Sequence, residues 1–127
     1  MQVNLVDVVA EVRAAFERYE AALVSNDLAV LDEAFWDSPH TVRFGVGENL
    51  FGMDEIRAFR TARLTTGLMR ALSHTVVATF GRDFATASTL FHRDGMRGMV
   101  GRQMQTWVRM PQGWRVVAAT VSVIPEA

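Results

Sequence analysis

The stretch FATASTLFHRDGMRGMVGRQMQTWVRMPQGWRVVAATVSVI, residues 84–124, decides the fold. It is rich in Val, Thr, Phe and Trp, the residues that suit a pleated, half-buried surface. Asp94-Gly95 and Pro111-Gln112-Gly113 interrupt it with turn chemistry. The pattern predicts strands over 84–93, 98–110 and 114–124, and residues 70–81 add another before Gly81-Arg82-Asp83. Long consecutive strands joined by tight turns form an antiparallel meander.

Upstream, the periodicity changes. Val12, Phe16, Tyr19 and Leu23 recur three and four residues apart, which predicts an amphipathic helix within residues 3–25. Ser25-Asn26-Asp27 breaks it and offers an N-cap to a second helix, Leu28–Trp36. Asp37-Ser38-Pro39 ends that helix, because the residue before proline disfavours the α region. Thr41–Gly45 reads as a short strand, with Leu50-Phe51-Gly52 as its partner. Asp54 is placed to cap a third helix through Arg63, with Ile56 and Phe59 on its buried side. Helices first and strands after predict an α+β domain: a curved, mainly antiparallel sheet packed against three helices and enclosing a pocket.

Composition narrows the chemistry. A chain of 127 residues, half of them apolar, is expected to form one domain over 1–127 with a real core. The net charge of −1 supplies no field to recruit nucleic acid. No apolar run approaches the roughly 20 residues of a membrane span. The N-terminus carries Asp7 and Glu11 and does not read as a signal peptide, so a cytoplasmic protein is expected. There is no cysteine, which excludes thiol nucleophiles and thiolate metal sites. All 13 basic residues are arginine, so no lysine is present for Schiff-base chemistry. Arginine holds anions well and shuttles protons poorly.

Each candidate residue has two readings. Tyr19 is a core tyrosine or a hydroxyl aimed into the pocket. Arg43, between Val42 and Phe44, faces away from both; it is solvent-exposed or lines the concave side of the sheet. Arg57, Arg60 and Arg63, three apart, read as a solvated helix face. His40, His74 and His92 lack metal-ligand spacing. Gly45-Val46-Gly47 is no dinucleotide fingerprint, and Trp107 and Trp114 read as core.

Several stretches together resemble the AtzH and HpxZ proteins of the nuclear-transport-factor-2-like superfamily. They include Phe16-Glu17-Arg18-Tyr19-Glu20, Val42-Arg43-Phe44-Gly45, Gly47-Glu48-Asn49-Leu50-Phe51-Gly52, Ile56-Arg57-Ala58-Phe59-Arg60, Gly81-Arg82-Asp83-Phe84, Gly101-Arg102-Gln103 and Gly113-Trp114-Arg115-Val116. The resemblance implies a cone-shaped α+β fold and a homodimer. It also implies a role in oxalurate or cyanuric acid catabolism beside a separate amidase.

The implied enzyme is cofactor-free and metal-free. It acts by decarboxylation or amide cleavage on a small anionic N-carboxylated urea, either dicarboxyurea going to allophanate or a ureido acid such as oxalurate. The family's proposed catalytic tyrosine and arginine match Tyr19 and Arg43, and the substrate-binding positions are carried to Phe44, Arg60, Arg102, Met104, Trp114 and Thr120. Phe44 and Phe51 stand where tyrosine is common, Met104 where serine is, and Thr120 where histidine is. The alternatives are a non-catalytic accessory subunit or ligand-binding partner of the amidase. A steroid-isomerase-like activity needs a pocket carboxylate, and Asp83 and Asp94 sit near predicted turns.

Overall fold

The computed structural model describes residues 1–63 and 67–127. Helices α1 (Val6–Ser25) and α2 (Leu28–Ala34) come first. Strands β1 (Val42–Phe44) and β2 (Asn49–Phe51) and helix α3 (Met53–Ala62) follow. The meander is β3 (Ala71–Phe80), β4 (Phe84–His92), β5 (Met99–Met110) and β6 (Gly113–Pro125). The six strands form one sheet in the order β2-β1-β6-β5-β4-β3. Every pairing is antiparallel except β1 with β6, which run parallel. This is the α+β arrangement that the strand and helix periodicities predict.

The helix boundaries differ from the sequence expectation for identifiable reasons. Asp27 caps α2 by accepting from the Val30 N–H at 3.3 Å. However, α2 stops at Ala34 rather than running to Trp36. Phe35 is extended and bridges in parallel to Val116, and the Trp36 N–H donates to the Val116 carbonyl at 2.9 Å. Sheet hydrogen bonds thus take the chain before Pro39 can act. Gly52, which has no side chain to cap with, occupies the N-cap of α3, and Asp54 lies inside the first turn.

Register assigns each residue to a face. Arg43 pairs with Ala119, Ala119 with Gln105, Gln105 with Ala87, and Ala87 with Val77. That row faces the helices and is buried apart from the partly exposed Arg43. One residue along, Phe44, Thr120, Met104, Ser88 and Val76 form the next row. It faces away and is exposed except for the half-buried Ser88. Register shifts at Ser73/Val76 and Thr106/Trp107 mark bulges, which bend and twist the sheet around the helices.

The core fills the inner side. Val8, Val12, Phe16 and Leu23 of α1 meet Leu31, Phe35, Ile56, Ala85, Trp107 and Val116. Trp107 is 1% exposed, and its indole N–H is satisfied by the buried Gln105 at 3.1 Å.

Candidate functional site

At one end of the inner face the core gives way to a cavity of about 300 Å³. Tyr19 and Leu23, one helical turn apart on α1, form one wall. Arg43 enters from β1, Phe59 from α3, and Gln103 and Val121 from the sheet floor. Val46 and Glu48 close it from the β1–β2 turn. Arg63, Arg70, Phe91 and Arg93 also line it. The two residues that the sequence singles out therefore share one cavity.

Tyr19 is 4% exposed, and its ring centroid lies 5.9 Å from that of Phe35. Its hydroxyl makes no hydrogen bond to a described residue. Arg43 is neither solvent-facing nor fully buried, with a side chain 13% exposed. Its guanidinium lies 5.6 Å from the Phe59 ring centroid, and Nη1 donates to Glu48 Oε1 at 3.0 Å. Gly45 makes that pairing fit: a Cβ there would lie 1.6 Å from Glu48 Oε1. Arginine carries five donors, and among the described residues Glu48 takes one of them.

A buried polar cluster stiffens the opposite wall. Arg70 Nε donates to Glu20 Oε2 at 3.1 Å and its Nη2 to Glu20 Oε1, a bidentate pair. Gln103 closes the cluster, accepting from Arg70 at 2.8 Å and donating to Glu20 at 3.2 Å. The Arg70 side chain is only 2% exposed, so its charge requires that carboxylate. Phe91 supports two cations: Arg70 lies 4.5 Å and Arg93 5.2 Å from its ring centroid. The ring itself lies over Gly101, where a Cβ would come within 2.1 Å of it.

Arg63 and Arg93 are different. Neither forms a salt bridge with a described carboxylate, and the Nε of each is buried without a hydrogen-bond partner. Among the described residues Arg63 makes one long hydrogen bond, from Nη2 to Asn26 Oδ1 at 3.5 Å. Burial pushes the Arg63 guanidinium below its ordinary pKa; Tyr19 opposes that shift, and the charges of Arg60, Arg43 and Arg93 reinforce it. Arg93 is lowered by burial first and then by the Arg70 charge, with Glu20 acting the other way.

The remaining sequence candidates lie elsewhere. Phe44, Met104 and Thr120 meet on the outer face of the sheet, in a separate shallow groove with Val42, Thr86 and Ala118. Arg102 is on the outer face too, its Nε donating to Ser122 Oγ at 3.0 Å. Arg60 is 4% exposed but points into the protein, bonded to the Leu31 carbonyl at 3.0 Å and Asp32 at 3.2 Å. Trp114 packs between α1 and the sheet and donates to Glu11 at 3.0 Å. None of these residues lines the cavity of Tyr19 and Arg43. The expected solvated face of α3 is also corrected: Arg60 is core and Arg63 lines the cavity, leaving Arg57 to pair with Asp37 and Asp54. The cavity carboxylate Glu48 was invisible to periodicity because it sits in a turn. Among the described residues no group of His, Asp and Glu has metal-binding geometry.

The AtzH-like family model matches residues 1–127. The chain belongs to the AtzH-like family. The AtzH-like chain is 61% identical, with a TM-score of 0.94, to a crystal structure of a protein of unknown function from Pectobacterium atrosepticum, covering 96% of this chain and 94% of that one. It is 49% identical, with a TM-score of 0.95, to a cystatin-like fold protein from Burkholderia xenovorans, covering 100% and 99% of the two chains. A nuclear transport factor 2-like superfamily protein from Salmonella enterica shares the fold at 24% identity and a TM-score of 0.73, over 95% and 92% of the chains. No curated protein matches. Phe44, Phe51, Met104 and Thr120 are all exposed and outside the cavity. No described helix is long and apolar enough to cross a membrane.

Proposed function

We propose that the AtzH-like chain is a cofactor-free enzyme that decarboxylates a small N-carboxylated urea, with dicarboxyurea going to allophanate as the leading reaction. The observation that carries this is the meeting of Tyr19 and Arg43 in one cavity of about 300 Å³, a size suited to a small molecule. Arg43 binds a substrate carboxylate through the part of its fork that Glu48 leaves open. Tyr19 donates its hydroxyl proton to the nitrogen as the C–N bond breaks. Carbon dioxide leaves, the bonding pair stays on nitrogen and takes up that proton, and water returns a proton to Tyr19. The aromatic and aliphatic lining of Leu23, Phe59, Phe91 and Val121 limits water around the developing charge, which strengthens each interaction there.

The test is incubation of the purified protein with dicarboxyurea and oxalurate, following carbon dioxide release and product by carbon NMR. Tyr19→Phe and Arg43→Ala are each expected to lower turnover by about 10²-fold or more while the circular dichroism spectrum stays native. Wild-type rates in either variant overturn the assignment. Saturable binding without any turnover by the wild type transfers the protein to the accessory, ligand-binding reading.

A further inference from the structure

The geometry points to Arg63 and Arg93 as a second anion subsite, which makes the ligand of this cavity a small dianion held at two points. The inference deepens the proposed function and rests on its reading of the cavity as an anion site.

Charge balance is the first argument. Arg43, Arg63, Arg70 and Arg93 line the cavity. Among the described residues two carboxylates answer them: Glu48 on Arg43 and Glu20 on Arg70. Two cations remain without a described carboxylate, in a chain whose overall charge is −1. A protein that leaves two partly buried guanidiniums together sacrifices stability, because each is desolvated without compensation. Binding an anion removes that cost.

Placement is the second argument. Arg93 follows β4 and Arg43 lies on β1, and these strands are separated in the sheet by β6 and β5. Three strand spacings set their backbones about 14 Å apart. The two side chains therefore reach the cavity from separate strands, while Tyr19 lines it from α1 and Arg63 from the end of α3. A single carboxylate on Arg43 satisfies one wall only. A molecule with a carboxylate at each end satisfies both and brings its central atoms beneath Tyr19. Hydrogen-bonding capacity agrees, since the unpartnered Nε of Arg63 and of Arg93 marks side chains whose donors the protein itself does not use up.

Malonate and its monoamide, malonamate, separate the two ends of such a ligand. They have nearly the same shape, and one carries a second carboxylate where the other carries an amide. Isothermal titration calorimetry of the wild type is expected to show malonate bound at least tenfold tighter than malonamate. Arg63→Gln and Arg93→Gln should each reduce that ratio to within about threefold while malonamate affinity changes by less than twofold. Arg43→Gln should weaken both ligands. A wild-type ratio near one overturns the second subsite without needing any variant, as does equal weakening of both ligands in Arg63→Gln and Arg93→Gln. If neither ligand binds the wild type, the anion-site reading fails together with the subsite. If malonate is preferred but dicarboxyurea is not consumed, the subsite stands and the proposed chemistry fails.

Discussion

Along Arg43, Ala119, Gln105 and Ala87 the sheet faces its helices, whereas along Phe44, Thr120, Met104 and Ser88 it faces away. The rows are one residue apart on every strand. The inner row and its neighbours Gln103 and Phe91 hold buried, mutually satisfied polar groups and the cavity. The outer row holds exposed Phe44, Met104 and Thr120, which serve no group in the cavity. Adjacent residues in one short stretch can thus have unrelated jobs, because the pleat sends them to opposite sides.

The sharpest way to break this contrast is to remove a buried charge from the inner side. Glu20→Ala leaves Arg70 uncompensated and should cost about 3–5 kcal/mol, read from urea denaturation. The outer-face change Met104→Ala should stay within about 0.5 kcal/mol. Equal effects on the two faces would dissolve the distinction.

Gly101→Ala tests the floor beneath Phe91. The new methyl must displace the ring, at a cost of about 1–3 kcal/mol. Arg70 and Arg93 rest on that ring, so malonate binding should weaken as well. Gly47→Ala, where nothing lies within 4 Å, is the matched control and should change neither measurement.

Glu48→Gln releases Arg43 from its internal partner. Malonate affinity should rise about fivefold, the ratio that ~1 kcal/mol represents, with calorimetry as the readout. Unchanged affinity would mean that ligand and Glu48 already share the fork. Met104→Ser and Thr120→His, the residues that the family resemblance leads one to expect there, should leave malonate affinity within about twofold. A larger response would return the outer groove to the site.

The smallest effect belongs to the surface. The Arg82 guanidinium, through a hydrogen bond, holds the Asp7 carboxyl below its ordinary value. A depressed carboxylate contributes stability above its unfolded pKa and loses it as pH falls through the lower folded value. Asp7→Asn should therefore flatten the acid limb of the thermal-stability profile slightly. The difference should vanish in 1 M salt, because the pair is exposed to solvent.

Much of this was legible in the chain itself. Alternation and turn residues located the meander, three-and-four spacing put Tyr19 on a helix face, and period two separated Arg43 from Val42 and Phe44. Those signals are local, and local periodicity survives folding. The side of the sheet that meets the helices is not local. It follows from register across β1, β6, β5 and β4, including a parallel pairing between strands far apart in sequence. That register turned Arg43 inward and sent Phe44, Met104 and Thr120 outward. It also gathered Arg63 from the end of α3, Arg70 from before β3 and Arg93 from after β4, three arginines with no common spacing. Sequence decided which elements form and how each is faced. Tertiary structure alone decided that four arginines line one cavity with Tyr19, because only long-range packing brings together charges that lie on separate elements.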